Sequence, residues 1–200
     1  MYHMSTHGWV SLKYAQDVWI PCLPVFPEGH DRASWAMLYA EQWWAMSGRK
    51  HGGRQVKSLA KTLAGIHEIA YPGLEMQMGL IHLPDLSEVP LLVSLGIWAA
   101  AGDRMTQLRV LVHADDTDAM EPPEVEEFGT EQLGPGLKTL AYTRKRGTVT
   151  GHLSYAWRSE EHATAVRIFT GCPDLGRLER AIPDIERMIQ GVNIIPQNRD

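Results

Sequence analysis

From residue 74 to residue 170 the chain is cut into short runs: LEMQMGLIHL, LLVSLGIWAA, QLRVLVHA, LKTLAYT, TVTGHLSYAW and ATAVRIFT. Several alternate apolar with polar residues, the period-two pattern that turns one face of a strand inward and the other outward. Turn-forming segments bound them, namely PDLSEVP, AGDRMT, RKRG and RSEEH. Connections this short leave no room for crossover helices, so neighbouring strands pair antiparallel. RKRG, between two alternating runs, is the clearest hairpin. Between His113 and Gly136 lies a longer acidic, proline-containing stretch, with a short strand expected around Val125 to Phe128.

Helices flank these runs. In the first thirty residues Pro21, Pro24 and Pro27 exclude a helix and favour an extended segment. A first helix then starts at Asp31 as N-cap and stops at Gly48. A second runs from about Arg54 to Ala70, with Val56, Leu59, Leu63, Ile66 and Ala70 on one face, and Tyr71-Pro72-Gly73 ends it. A last helix begins after Asp174 with Leu175, Leu178, Ile182, Ile185 and Ile189 on one face. Pro183 falls inside it and predicts a kink or two short helices; Ile194 onward reads as a loose tail. The fold class is α+β: an antiparallel meander sheet of about six strands, flanked by two N-terminal helices and one C-terminal helix. The organisation expected is an extended segment over 1–30, a single domain over 31–195 and a tail over 196–200.

The first helix holds three of the seven tryptophans, Trp35, Trp43 and Trp44. At helical spacing Trp35, Tyr39 and Met46 share one stripe, with Leu38 and Trp43 beside it, and this stripe is expected to face the sheet. Met37 and Trp44 point nearly opposite. Either the IPCLPVFPEG segment covers Trp44, or Met37 and Trp44 form a partner-binding patch, where Trp and Met are favoured. Ala36, Ala40 and Ala45 allow other elements to approach closely.

Two hundred residues can bury a substantial core without metal or disulfide. A net charge of −5 gives no basic footprint for nucleic acid. The longest apolar run, residues 89–102, is too short and interrupted to span a bilayer. MYHMSTHGWV lacks the pattern of a signal peptide, so a cytoplasmic location is expected. Cys22 and Cys172 lie far apart in sequence and read as buried thiols.

Motifs for chemistry are sparse. GRKHGGRQ has the glycine frame of a phosphate loop, but Arg54 and Gln55 stand where lysine and a hydroxyl belong. What survives is a basic, glycine-rich helix start, an anion-binding candidate through Arg49, Lys50, Arg54 and Lys57, with Lys61 following. Residues 113–131 hold eight acidic residues and no basic one, without the glycine and glutamate of a calcium loop. Nine histidines form no metal motif, so neither metal nor cofactor is expected. His67, on an apolar helix face, reads as a hydrogen-bonded core residue; His82 and His152 sit in strand patterns. His113 beside Asp115 and Asp116 has the makings of a base with a carboxylate orienter. No serine elbow occurs, and the hairpin tip Arg144-Lys145-Arg146 is basic and exposed.

Taken with the extended LPVFPEGHDR, the run ending ATAVRIFTG and the closing DLGRLERAIPDIERMI, the arrangement resembles the PsbP-like α/β/α sandwich over residues 20–195. That resemblance is topological. It implies binding, adaptor or chaperone work and carries no catalytic residue. The first functional expectation is therefore a non-enzymatic binding or adaptor protein, self-associating or holding a protein partner, with no nucleic acid or membrane involved. A small-ligand binder or enzyme, using a sheet–helix cleft with histidine and the acidic or basic loop, is the alternative. A phage or secretion-system component is a third.

Overall fold

A computed structural model of the chain describes residues 9–26, 28–50, 52–70 and 78–195. The expected helix stop at 71–73, the start of the first run at 74–77 and the tail at 196–200 lie outside the described residues. In chain order the elements are β1 (Trp9–Leu12), β2 (Trp19–Cys22), α1 (Arg32–Met46), α2 (Gly53–Ala70), β3 (Met78–His82) and β4 (Leu91–Ala99). There follow α3 (Arg104–Leu111), β5 (Glu124–Glu127), β6 (Gly136–Lys145), β7 (Thr148–Ser159), β8 (Thr164–Cys172), α4 (Leu175–Ile189) and β9 (Val192–Ile195). The protein is α+β, with a seven-stranded antiparallel sheet in the order β2-β3-β4-β8-β7-β6-β5 and a two-stranded sheet of β1 and β9. Strands β5 to β8 form the expected meander. The order departs from a plain meander at β4, which lies next to β8. The chain divides into two compact units, one from Ala15 to Ser94, the other from Leu95 onward together with the chain up to Tyr14.

In the first unit β2 pairs antiparallel with β3, Trp19 opposite His82 and Cys22 opposite Gly79. Pro21 is tolerated in β2 because β2 is an edge strand of the sheet, where a missing N–H is not needed. α1 starts with a capping box: the Asp31 carboxylate accepts from the Ser34 N–H, and the Ser34 hydroxyl accepts from the Asp31 N–H. It stops at Gly48, whose φ of 63° suits glycine. Its buried residues are Trp35, Ala36, Ala40 and Trp43. The expected sheet-facing stripe is thus corrected: Met46 is exposed, and the seam runs along Ala36, Ala40 and Trp43. On a helical wheel Trp35 and Tyr39 flank this seam on one side, Met37 and Trp44 on the other. The small alanines at the centre let the helix sit close, and the aromatics close over both edges. Trp43 Nε1 donates to the Leu83 carbonyl at 2.7 Å and Trp35 Nε1 to Pro21 at 3.2 Å. The proline-rich segment covers Trp35, with Phe26 6.1 Å from its ring. α2 buries Val56, Ala60, Leu63, His67 and Ala70. His67 Nε2 bonds the Leu23 carbonyl at 2.8 Å, the core role expected of it.

The second unit is built on β6-β7-β8. Arg146 and Gly147 both have positive φ, 52° and 84°, and join β6 to β7 by the two-residue turn that matches strand twist. α4 covers one face of the sheet, burying Leu178, Ala181, Ile185, Met188 and Ile189. Gly151 makes room for it, since a Cβ there would lie 2.8 Å from Leu178. Asp174 caps α4, accepting from the Arg177 N–H. Of the two outcomes expected, two short helices do not occur: α4 is one helix, and Pro183 lies inside it at an exposed position. Ile194, expected to begin a loose tail, is buried in β9, which pairs antiparallel with β1.

The run QLRVLVHA, expected as a strand, is mostly helix α3. Leu108 and Val112, four apart, are buried with Leu111 packed beside them, while Val110 is 68% exposed. The apparent alternation of 108, 110 and 112 is therefore one helical face plus an outlier. Asp103 caps the helix by accepting from the Thr106 N–H, and this cap decides the conformation over β-branched propensity. α3 packs on the sheet face opposite α4, against Leu137 of β6 and Ala156 of β7.

Candidate functional site

α3 covers only one end of its sheet face. Beyond it the register lines up Thr139, Ala141 and Thr143 of β6 with Ser154, His152 and Thr150 of β7. β8 sets Phe169 beside Ser154 and Gly171 beside His152. Because side chains alternate across a sheet, this row points to one face. It floors a concavity of about 620 Å³. Val112, His113, Asp116 and Asp118 wall it at the end of α3, and Arg144 and Lys145 stand at the β6–β7 tip. A cavity of this size suits a small molecule.

Each polar group has a local reason for its place. Asp116 accepts from the Asp118 N–H at 2.9 Å, which turns the chain after α3. His113 adopts a φ of 56°, uncommon outside glycine, at the start of that turn. Arg167 lays its guanidinium 4.3 Å over the Phe169 ring and donates to Ser154 Oγ at 3.3 Å. Thr143 Oγ1 and His152 Nε2 are 2.9 Å apart. Thr139 is 2% exposed, and its hydroxyl meets no partner among the described residues.

Partial desolvation holds the His113 imidazole below its ordinary pKa, Arg167 pushes the same way, Asp116 opposes, and His152 adds a smaller push down. Desolvation likewise lowers His152, against Asp116 and with Arg167. Both rings are thus inclined to be neutral near pH 7. The opposite face of the same strands is different in kind. There Tyr155 donates to Glu186 at 3.0 Å, and Glu186 also pairs with Lys138 at 3.0 Å. Burial, then the Glu186 charge, pushes the Tyr155 phenol above its ordinary range. Tyr155, Glu186 and Lys138 beneath α4 find each other; the Thr139 hydroxyl on the other face finds no partner among the described residues.

Of the residues singled out in the sequence, His113 and Asp116 line the concavity. Asp115 does not orient His113: it is paired with Arg109. Arg49 is paired with Asp85 at 2.9 Å, while Lys50, Arg54 and Lys57 are exposed, and none of the four lines the concavity. Met37 and Trp44 are half-buried, packed against the core of the first unit. Cys22 and Cys172 are both buried and unbridged. The sequence alone does not point to Thr139, Thr143, Ser154 or Arg167. Their signal was present as polar residues at every second position of neighbouring runs, which reads as a polar sheet face only once the strands are in register.

Among the described residues no group of three or more His, Cys, Asp or Glu is placed to hold a metal ion. No helix among them is long and apolar enough to cross a membrane. No family model matches the chain, and no curated protein matches it. Among solved structures the chain is similar to LpqN, involved in cell envelope biogenesis of Mycobacterium tuberculosis. The two share a TM-score of 0.50 at 10% sequence identity, over 94% of this chain and 86% of that one. At that identity the likeness concerns the fold alone.

Proposed function

We propose that the protein binds a small polar ligand in the concavity over β6, β7 and β8. The observation that carries this reading is the Thr139 hydroxyl, buried in the floor with no partner among the described residues. A buried hydroxyl left unpaired costs free energy, so a strand gains nothing from keeping one for its own sake. Thr139 lines the concavity, so a small opening of the floor on binding would let a ligand donor or acceptor satisfy it. Fragment screening by two-dimensional amide NMR tests this. Hits are expected to shift the amides of Thr139, Ser154 and Phe169 and to weaken in Thr139→Val. Hits that cluster elsewhere, or bind Thr139→Val equally well, would sink the reading.

We propose, as a second reading, a protein contact or self-association through α1. Its support is that Leu38 and Met46 are 45% and 54% exposed, with Met37 and Trp44 half-buried on the same helix. Light scattering of Leu38→Glu against the parent chain tests it; a parent that is monomeric at high concentration removes the self-association form.

A further inference from the structure

Resting on that ligand-binding reading, we infer that the ligand carries an oxyanion on an apolar body, and that its binding draws protons onto His113 and His152. Three fixed cations line the concavity, Arg144, Lys145 and Arg167, against two carboxylates, Asp116 and Asp118. The carboxylates sit together on the turn after α3, and the Asp116 Oδ1 already accepts from the Asp118 N–H. Arg167 is the inner cation. Its guanidinium is held flat on Phe169 and tethered to Ser154, so little side-chain freedom is lost when an oxyanion docks. Hydroxyls of Thr139, Thr143 and Ser154 lie in the same floor, able to donate to oxygen. Val112, Ala141 and Phe169 give the apolar part of the lining.

Charge linkage follows from this crowding. His113 and His152 share the cavity with Arg167, which favours their neutral forms, and with Asp116, which opposes it. Asp118 on the turn and Arg144 and Lys145 on the tip complete the charged groups lining the cavity. An oxyanion seated on Arg167 offsets the arginine's charge and adds its own negative charge beside both rings. Each imidazole pKa then rises, and by linkage the anion binds more tightly as pH falls. A rise of one unit in one ring corresponds to about tenfold in affinity between the protonated and neutral limits.

Benzoate, benzamide and benzylamine share one shape and differ in charge, and amide NMR titration of the full chain with each reads the preference. The expected order puts benzoate first, with shifts at Thr139, Ser154 and Phe169. Benzoate is also expected to bind several-fold more tightly at about pH 5.5 than at about pH 8, with the imidazole nitrogens of both histidines reporting proton uptake. Arg167→Gln is expected to abolish the preference for benzoate; if that variant does not fold, the three-ligand order in the parent chain stands as the test. Benzamide or benzylamine binding at the same amides as tightly as benzoate overturns the oxyanion inference and leaves the binding reading standing. Benzoate binding with no pH dependence overturns the proton linkage. No binding of any probe at these amides, in a screen that also yields no other ligand there, overturns both readings.

Discussion

Replacing Thr139 by Val keeps the branched shape and exchanges the orphaned hydroxyl for a methyl group. In most buried sites this exchange is destabilising, because the hydroxyl has a partner that is left unpaired. Here the sign reverses. The residue is 2% exposed and its oxygen meets no donor or acceptor among the described residues. Desolvating a hydroxyl without compensation costs about 1–3 kcal/mol. The added methyl contributes roughly a further 0.8 kcal/mol of apolar burial. Valine also suits a strand interior at least as well as threonine. The expected gain is therefore about 2–4 kcal/mol, which for a chain of this size raises Tm by at least about 4 °C. Calorimetry of the ligand-free protein measures it, and the same variant is then titrated with fragments that bind the parent. A higher Tm with weaker binding marks a residue kept for function at the expense of stability. A Tm lowered by about 2 °C or more would mean that the hydroxyl is satisfied in the free protein, and the reasoning from its orphaned state would collapse.

Other consequences are as easily checked. Pro183→Ala restores the backbone N–H that bonds the Glu179 carbonyl in α4; it should stabilise by about 1–3 kcal/mol in urea unfolding, since proline is that unfavourable in a helix interior. Gly147→Ala puts a Cβ at a φ of 84° in the β6–β7 turn and should destabilise by about 1 kcal/mol, whereas Arg146→Asn, at 52°, should be neutral or slightly stabilising. Both His113 and His152 are held below the ordinary histidine value of 6.5, so as pH falls through it the unfolded chain binds protons that the folded chain refuses. Unfolding free energy should thus be level above that value and decline below it, and His152→Gln should flatten the decline; an unchanged slope would remove His152 as a cause. Trp44→Ala should lower stability by about 1–3 kcal/mol, because the ring packs half-buried against the core rather than standing free.

Local rules carried the chain far where each segment settles its own conformation. Asp31 and Asp174 cap the helices they were expected to cap, and RKRG makes its hairpin, because caps and two-residue turns are short-range devices. Local rules say less where the deciding partner is distant in sequence. β1 and β9 have strand-favouring residues but only four each, too few to stand out in the sequence, and they pair with each other across the length of the chain. α1 gave two competing stripes because its true seam is lined by Ala36 and Ala40, residues too small to weigh in a hydrophobic pattern yet able to bring the helix closest. Large side chains mark the edges of a buried face and small ones its centre, so ranking positions by size pointed to both flanks and missed the middle.

The site depends most on residues 107–114, whose alternation suggests a strand and which fold mostly as helix α3. With residues 107–114 as a strand, the polar face of β6, β7 and β8 would have had a further strand beside it and His113 would have been one more alternating position. As a helix, α3 lies across that face and seals only the part over Leu137 and Ala156. Its short length, Arg104–Leu111, is what leaves Thr143, His152 and Arg167 only partly covered, and the turn after it brings His113 and Asp116 to the rim. The concavity is thus a product of where one helix stops. Val112 is the last residue to pack before His113 takes its positive φ and the chain turns away. That stop is encoded locally, by a strained histidine followed by an aspartate that binds its own turn. Hence the acidic stretch of residues 113–131, which by composition alone is a solvated loop, contributes through position rather than charge count. Only Asp116 and Asp118 of its eight acidic residues reach the cavity; Asp115 is spent on Arg109, and Glu124, Glu126 and Glu127 lie on the edge strand β5. An edge of that charge also resists pairing with a second sheet.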